Sequence, residues 1–351
     1  MSSAQATRAR LLAHAAAYPL LGVSDVFKFL HQSSFGCEHA VVSVEFAEEK
    51  IDAEFSSLKE CDAPLVEELD GNYCRVHLSV LKEGISPETL ARLFVLSAKS
   101  EDGLDALREK LAVARALAQE GVFAFGVREF DEALCAWEAD GFCALHHSAA
   151  FREAYHPAYR VVAKDFALFL PLFAKIDSRR AQGVVAIDGG SAAGKTTLGS
   201  LLSKVYNCTL FHMDDFFLPP HLRTEARLKE VGGNVDRARY LAEILTPLSR
   251  GEDVCYRRFD CSVMAFGDVQ RVCVKPLVIV EGAYSMHPEL VSYYDLTVFL
   301  DVDKDVQKTR ILKRNTKDFA ARFFGEWIPM EDRYFEQSGI RRRADLVFCV
   351  L

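Results

Sequence analysis

Eight residues near the middle of the chain, Gly189-Gly190-Ser191-Ala192-Ala193-Gly194-Lys195-Thr196, have the types and spacing of a phosphate-binding loop. The glycines let backbone N–H groups converge on phosphate oxygens without a side-chain clash. A helix starting there adds the partial positive charge of its N-terminus. Lys195 can reach the outer phosphates of a nucleotide, and the Thr196 hydroxyl can ligate Mg²⁺, with Thr197 continuing the loop into the helix. The loop alone does not separate a kinase from a GTPase or a motor ATPase.

Carboxylates follow at useful intervals. Met213-Asp214-Asp215-Phe216-Phe217 comes directly after an apolar run and can place Asp214 and Asp215 where ligands bind in open α/β sheets. A carboxylate there can orient an attacking hydroxyl and take its proton. The plainer alternative is an Asp pair capping a turn. Val278-Ile279-Val280-Glu281 ends a second apolar run in a carboxylate that can hold Mg²⁺ directly or through water. After Asp301-Val302-Asp303 comes a basic stretch with Lys308, Arg310, Lys313, Arg314 and Arg322. Arg310 and Arg314, four residues apart, share a helix face and can close over phosphates. The bland alternative is a solvated basic face.

These groups need a scaffold. Short apolar runs at 183–188, 208–211, 277–281, 296–301 and 345–350 alternate with helical spacing such as Leu198, Leu201, Leu202, Val205 and Leu241, Ile244, Leu245, Leu248. Strands alternating with helices point to an α/β class with a mainly parallel, five-stranded sheet covered on both faces. The first half reads mostly helical, from Val23, Val26, Phe27, Leu30 and from Leu104, Leu107, Leu111, Ala114. Tyr73–Leu81 alternates and reads as a strand, or as a loop into a helix capped at Ser86-Pro87-Glu88. Two domains follow, 1–175 and 176–351. At 351 residues, two is also the default count.

The charge divides the same way. Residues 1–175 hold 26 acidic and 17 basic side chains, and residues 176–351 hold 24 and 25. The overall net charge of −8 argues against a nucleic-acid partner. The hydrophobic content of 50% excludes a disordered chain. No run of 18 apolar residues occurs, so no membrane span or membrane partner is expected. The N-terminal MSSAQATRARLLAHAAAYPLLG could mimic a transit segment but reads better as a first helix. The ten cysteines are scattered with no CxxC pair, and the expectation is a reduced, cytoplasmic protein with buried thiols.

The order of motifs in the second half resembles the uridine kinase / phosphoribulokinase family of P-loop small-molecule kinases. The matching residues are GGSAAGKTT (189–197), MDDFF (213–217), NVD (234–236), YRRFD (256–260), VEGAYS (280–285) and RILKR (310–314). The resemblance implies a P-loop NTPase fold, ATP and Mg²⁺, and transfer of phosphate to the hydroxyl of a small molecule. It implies Asp214 as general base beside Asp215, Glu281 with Thr196 (and Asp214 nearby) around Mg²⁺, and Arg310 and Arg314 as lid arginines. It places Asp236, Tyr256 and Arg258 at the acceptor. Two positions depart from the uridine kinase pattern. Phe217 stands where an aromatic hydroxyl is found, and Phe259-Asp260 leads into Cys261-Ser262 with no histidine nearby. A nucleoside, a sugar or a vitamin-like alcohol are the acceptor classes left.

The first half lies outside that resemblance and looks like the extra N-terminal region of some kinases of this type. Two of its segments, 29–39 and 146–160, are dense in His, Tyr and Arg. They could supply a second ligand site or close over the acceptor pocket, although the His spacing matches no usual zinc pattern. Hydrogen-bonded polar residues of a core or interface are the weightier reading. The competing function is an ATP-binding regulator whose N-terminal half binds a ligand or partner. A helicase or motor is disfavoured by the missing basic patch, and a homo-oligomer stays open.

Overall fold

A computed structural model describes residues 3–37, 43–59, 63–98 and 103–350. The chain divides into two compact units, Met1–Ser178 and Arg179–Leu351.

The N-terminal unit runs α1 (Ser3–Ala17), α2 (Val23–Phe35), α3 (Val44–Ser56), β1 (Val66–Glu68), β2 (Tyr73–His77), α4 (Pro87–Ser97), α5 (Leu104–Gln119), α6 (Val127–Ala139), α7 (Ala149–Tyr155), β3 (Tyr159–Ala163), α8 (Lys164–Ala167) and α9 (Leu170–Ser178). It is mostly helical, with an antiparallel sheet in the order β1-β2-β3. The alternating segment 73–81 is a strand only to His77, and Leu78–Glu83 coils into a 3₁₀ turn. Helix α4 starts as its residues require, with the Ser86 hydroxyl accepting from the Thr89 amide and Pro87 in the first turn.

Much of the polar density of this unit is internal. Asp25, fully buried on α2, accepts from the Gly22 amide, the Ser148 amide and hydroxyl, and His147 Nδ1 at 2.8 Å. His147 Nε2 lies 2.7 Å from the Tyr159 hydroxyl. The segments singled out at 29–39 and 146–160 therefore meet where Gln32 lies 3.4 Å from the Tyr159 hydroxyl, and His147 ties the second of them to Asp25. Glu38 and His39 lie outside the described residues, as does Cys61.

The C-terminal unit runs β4 (Gly183–Gly189), α10 (Lys195–Val205), β5 (Cys208–His212), α11 (Glu225–Lys229), α12 (Arg237–Tyr240), α13 (Thr246–Ser249), β6 (Val254–Asp260), β7 (Ala265–Val272), β8 (Leu277–Glu281), β9 (Leu296–Val302), α14 (Lys304–Arg314), α15 (Lys317–Arg322), α16 (Ile328–Ser338), α17 (Ile340–Arg343) and β10 (Leu346–Val350). Strands β10-β9-β4-β8-β5 form one five-stranded sheet in which every pairing is parallel. Helices cover both faces of such a sheet, and for that reason β8 is buried along its whole length and reads as an unbroken apolar run. The carboxyl ends of β4, β5 and β8 lie at one edge, where Ile187 and His212 both pair with Glu281.

Two features depart from expectation. The stripe Leu241, Ile244, Leu245, Leu248 is interrupted by a π-helical turn at Leu241–Leu245, followed by Pro247, whose missing N–H cannot continue an α-helical ladder. The thiols are not a buried set. Cys37 and Cys74 are buried, with pKa values pushed up to about 12 by burial. Cys135, Cys143, Cys255, Cys261, Cys273 and Cys349 are exposed and Cys208 is half-buried. Cys135, Cys255 and Cys349 sit on outward faces of a helix or strand, and Cys143, Cys261 and Cys273 in connecting segments, where a small weakly polar side chain is tolerated without burial. Among the described residues, no helix is long and apolar enough to cross a membrane.

Candidate functional site

The loop from Gly189 to Thr196 joins β4 to α10. Its backbone demands small residues. Gly189 has φ 150°, and a Cβ there would sit 2.5 Å from the Leu300 carbonyl oxygen. Gly194 and Ala192 also take positive φ, 96° and 61°. The non-glycine case stores about 1 kcal/mol of backbone strain. Lys195 Nζ donates to the carbonyls of Gly189 and Gly190 at 2.8 and 2.9 Å, folding over the loop it would share with a phosphate.

Around the loop, side chains from later elements hold it in shape. Glu331 on α16 accepts from the Ser191 amide at 2.8 Å and from its hydroxyl at 2.7 Å. Gln307 on α14 donates to the Ser191 carbonyl at 2.8 Å, and Arg310 Nη1 donates to the Ala192 carbonyl at 3.3 Å. Asp188, fully buried at the end of β4, accepts from the amides of Gly189, Tyr284 and Met286 and from the Tyr334 hydroxyl. It ties the phosphate loop to the segment after β8 and to α16. That segment comes close to β5. Gly282 has φ 143°, and a Cβ there would lie 2.6 Å from the Met213 Cβ.

The two aspartates after β5 have separate environments. The 3₁₀ turn Met213–Phe216 buries Met213, Asp215 and Phe216 and leaves Asp214 exposed. Asp215 is bound to the β6–β7 hairpin, accepting from Arg258 Nε at 2.9 Å and from the Tyr256 hydroxyl at 3.3 Å, while its carbonyl accepts from Arg239 at 2.7 Å. Burial pushes the Tyr256 hydroxyl up to about 12, so it stays a donor. Among the described residues, Asp214 makes no hydrogen bond or ion pair. The protein around the Asp214 carboxylate displaces bulk water and raises its pKa; Glu281 and Asp215 add like charge, against the pull of Lys195 and His212.

Glu281, buried at the end of β8, faces the Thr196 hydroxyl at 3.1 and 3.2 Å and His212 Nδ1 at 2.5 Å. The hydrogen bond to Glu281 raises the His212 pKa against the opposing effect of burial. A hydroxyl and a carboxylate converging in this way suit Mg²⁺, which takes one or two protein oxygens and completes its shell with phosphate oxygens and water. Among the described residues, no group of three or more His, Cys, Asp or Glu side chains is placed to hold a metal by itself.

The remaining residues singled out from the sequence fall into two places. Asp236 caps α12 by accepting from the Arg239 amide, and Arg239 lies 4.2 Å over the Phe216 ring, so Asp236, Tyr256 and Arg258 all belong to the shell around Asp215. Arg310 reaches the phosphate loop, whereas Arg314 packs its guanidinium over Phe323 at 5.5 Å. Sequence reasoning missed Asp188, His212, Gln307 and Glu331. Asp188 and His212 adjoin motifs that were recognised, and that adjacency was their signal. Gln307 and Glu331 carry none, since only packing brings α14 and α16 to Ser191.

Comparison with known proteins finds relatives over about half of the chain. A uridine kinase from Staphylococcus aureus (strain JH9) is 25% identical over 187 residues, covering 48% of this chain and 87% of that protein. Uridine kinase-like protein 4 of Arabidopsis thaliana is 27% identical over 150 residues, 40% of this chain. The chain spans only 31% of that protein's length. No family model matches the chain. Among solved structures, one described as a possible uridine kinase from Bacillus stearothermophilus covers 48% of this chain and 88% of its own, with 22% identity and a TM-score of 0.38. A shikimate kinase from Bacteroides thetaiotaomicron covers 47% and 85%, with 16% identity and a TM-score of 0.27. In the C-terminal unit the loop 189–196 follows β4, the central strand of the five-stranded parallel sheet.

Proposed function

We propose that this protein is an ATP-dependent kinase that phosphorylates a hydroxyl of a small molecule, a nucleoside, sugar or vitamin-like alcohol. The observation that carries this is the division between the two aspartates. Asp215 is engaged by the hairpin through both carboxylate oxygens, and Asp214 is without a partner among the described residues, on the edge that also carries Lys195, Thr196 and Glu281.

In this reading the loop amides and Lys195 bind the nucleotide phosphates. Thr196 and Glu281 would hold Mg²⁺, which when bound neutralises charge on the phosphate oxygens. Asp214 takes the proton of the acceptor hydroxyl as its oxygen bonds to the γ-phosphorus. The bond from that phosphorus to the bridging oxygen breaks, and ADP leaves with the electron pair. The raised pKa of Asp214 makes it a better proton acceptor than an ordinary carboxylate. Arg310, already on the loop, is placed to meet the developing charge. Arg258 and Tyr256 flank the acceptor side, with Phe217 giving it an apolar wall in place of a hydroxyl.

The test is acceptor-dependent release of ADP from the full chain, with ATP, Mg²⁺ and a panel of nucleosides, sugars and cofactor alcohols. Asp214→Asn is expected to lower transfer by roughly 10²–10⁴-fold with ATP binding nearly intact. Full activity in that variant removes Asp214 from the role of base. Tight ATP binding without turnover on any acceptor favours an ATP-binding regulator instead.

A further inference from the structure

The last residue of β5, His212, serves a single partner. It is the register partner of Glu281 across the parallel pair β5–β8, so the two strands end side by side. Its neighbours Phe211 and Met213 enter the core, and strand alternation turns His212 to the opposite face. There the ring is 32% exposed. Nδ1 lies 2.5 Å from Glu281 Oε1, and this is the ring's one hydrogen bond among the described residues. An ionised carboxylate only accepts, so Nδ1 carries the hydrogen and donates.

Glu281 has little else to fix its tip. Its Cγ passes α10 at Gly199, where a Cβ would come within 3.3 Å. The Thr196 hydroxyl stands 3.1 Å from Oε1 and 3.2 Å from Oε2, so it does not distinguish the two oxygens. His212 does. It holds Oε1 and leaves Oε2 with no partner but Thr196 among the described residues. The last torsion of a glutamate is broad and nearly two-fold, so without this second hold the two oxygens can trade places.

We infer that His212 is a positioning residue for Mg²⁺: its Nδ1–H pins one oxygen of Glu281, so that the carboxylate and the Thr196 hydroxyl are offered to the ion in one fixed arrangement. The inference rests on the reading of Thr196 and Glu281 as the Mg²⁺ pair. His212 acts through Glu281 and is not itself a ligand, because the nitrogen on that side carries a hydrogen. A carboxylate that ligates a metal is itself hydrogen-bonded, and losing such an outer partner costs about 10–100-fold in metal affinity. The opposing account makes His212 a cation that merely neutralises Glu281. It carries the opposite sign, since a positive charge beside the site repels Mg²⁺ and removing it would tighten binding.

Binding of a fluorescent ATP analogue to the full chain, in EDTA and in saturating Mg²⁺, tests this without turnover. The ratio of the two affinities reports how much more tightly the protein-bound nucleotide holds Mg²⁺ than the free nucleotide does. His212→Ala is expected to lower that ratio about tenfold or more, with the affinity in EDTA unchanged. His212→Asn, whose amide nitrogen can stand in for Nδ1 without a charge, should recover most of it. An Ala variant whose ratio equals or exceeds the parent's overturns the positioning role. So does an Asn variant no better than Ala, or a loss of affinity equal in EDTA and in Mg²⁺. If the parent binds no analogue, or gains nothing from Mg²⁺, the Mg²⁺ reading itself fails and the role of His212 with it. Variants that match a Mg²⁺-dependent parent remove His212 alone.

Discussion

The two units handle polar side chains in opposite ways. In the N-terminal unit, Asp25 is fully buried and accepts from two backbone amides, a serine and a histidine. In the C-terminal unit, Asp214 stands exposed and unpartnered among the described residues, while its neighbour Asp215 is held by Arg258 and Tyr256. A carboxylate whose lone pairs are all spoken for within the protein supports a fold. One whose surroundings raise its pKa without satisfying it is available for chemistry. The density of His, Tyr and Arg in a segment is therefore a poor guide to function beside the question of which groups remain unsatisfied.

The difference can be broken in order of expected effect. Lys195→Met removes a charge that acts on phosphate and touches only loop carbonyls in the protein itself. Phosphoryl transfer should fall about 10²–10³-fold, with the melting temperature within a degree or so of the parent. A large loss of stability would show that Lys195 is structural. Asp25→Ala should do the reverse. It strands four donors and is expected to destabilise the N-terminal unit by about 3 kcal/mol, read by urea unfolding. A change under about 0.5 kcal/mol would mean that the network is not holding the unit.

The smallest effect is a pH dependence of the same network. Burial brings the His147 pKa down to about 4, against the pull of Asp25, and Arg75 and Lys28 add like charge. The unfolded chain therefore binds a proton on this group that the folded one refuses. Stability rises with pH across that interval and is lost on acidification from about 6.5 to about 4. Asp25 is brought down to about 2, its hydrogen bonds outweighing the effect of burial, so its contribution is lost below the ordinary carboxylate range. The His147 step is worth at most about 3 kcal/mol, from a displacement of about two and a half pH units. His147→Phe should flatten the dependence between pH 6.5 and 4; a curve unchanged from the parent would place the titrating group elsewhere.

The sheet of the C-terminal unit was legible because a parallel strand covered on both faces must be apolar throughout. The runs at 183–188, 208–211, 277–281, 296–301 and 345–350 all lie within or beside its strands. The β6–β7 hairpin was not legible. Only Val254, Tyr256 and Phe259 of β6 are buried and β7 is largely exposed, so its sequence of arginines and cysteines has no continuous pattern. Of the N-terminal sheet only β2 was legible, within the alternating segment 73–81, since β1 has only three residues.

By itself the sequence determined the phosphate loop, because the spacing of Gly189, Gly194 and Lys195 is a local requirement of backbone and side-chain reach. It determined the two carboxylates after β5 and the one ending β8 for the same reason. Tertiary structure alone decided that Asp215 is taken and Asp214 is not, because Arg258 and Tyr256 arrive from a hairpin 40 or so residues away. It alone brought Glu331 to Ser191 and His212 to Glu281. Hydrogen-bond satisfaction is a property of distance in space, and no periodicity along the chain records it.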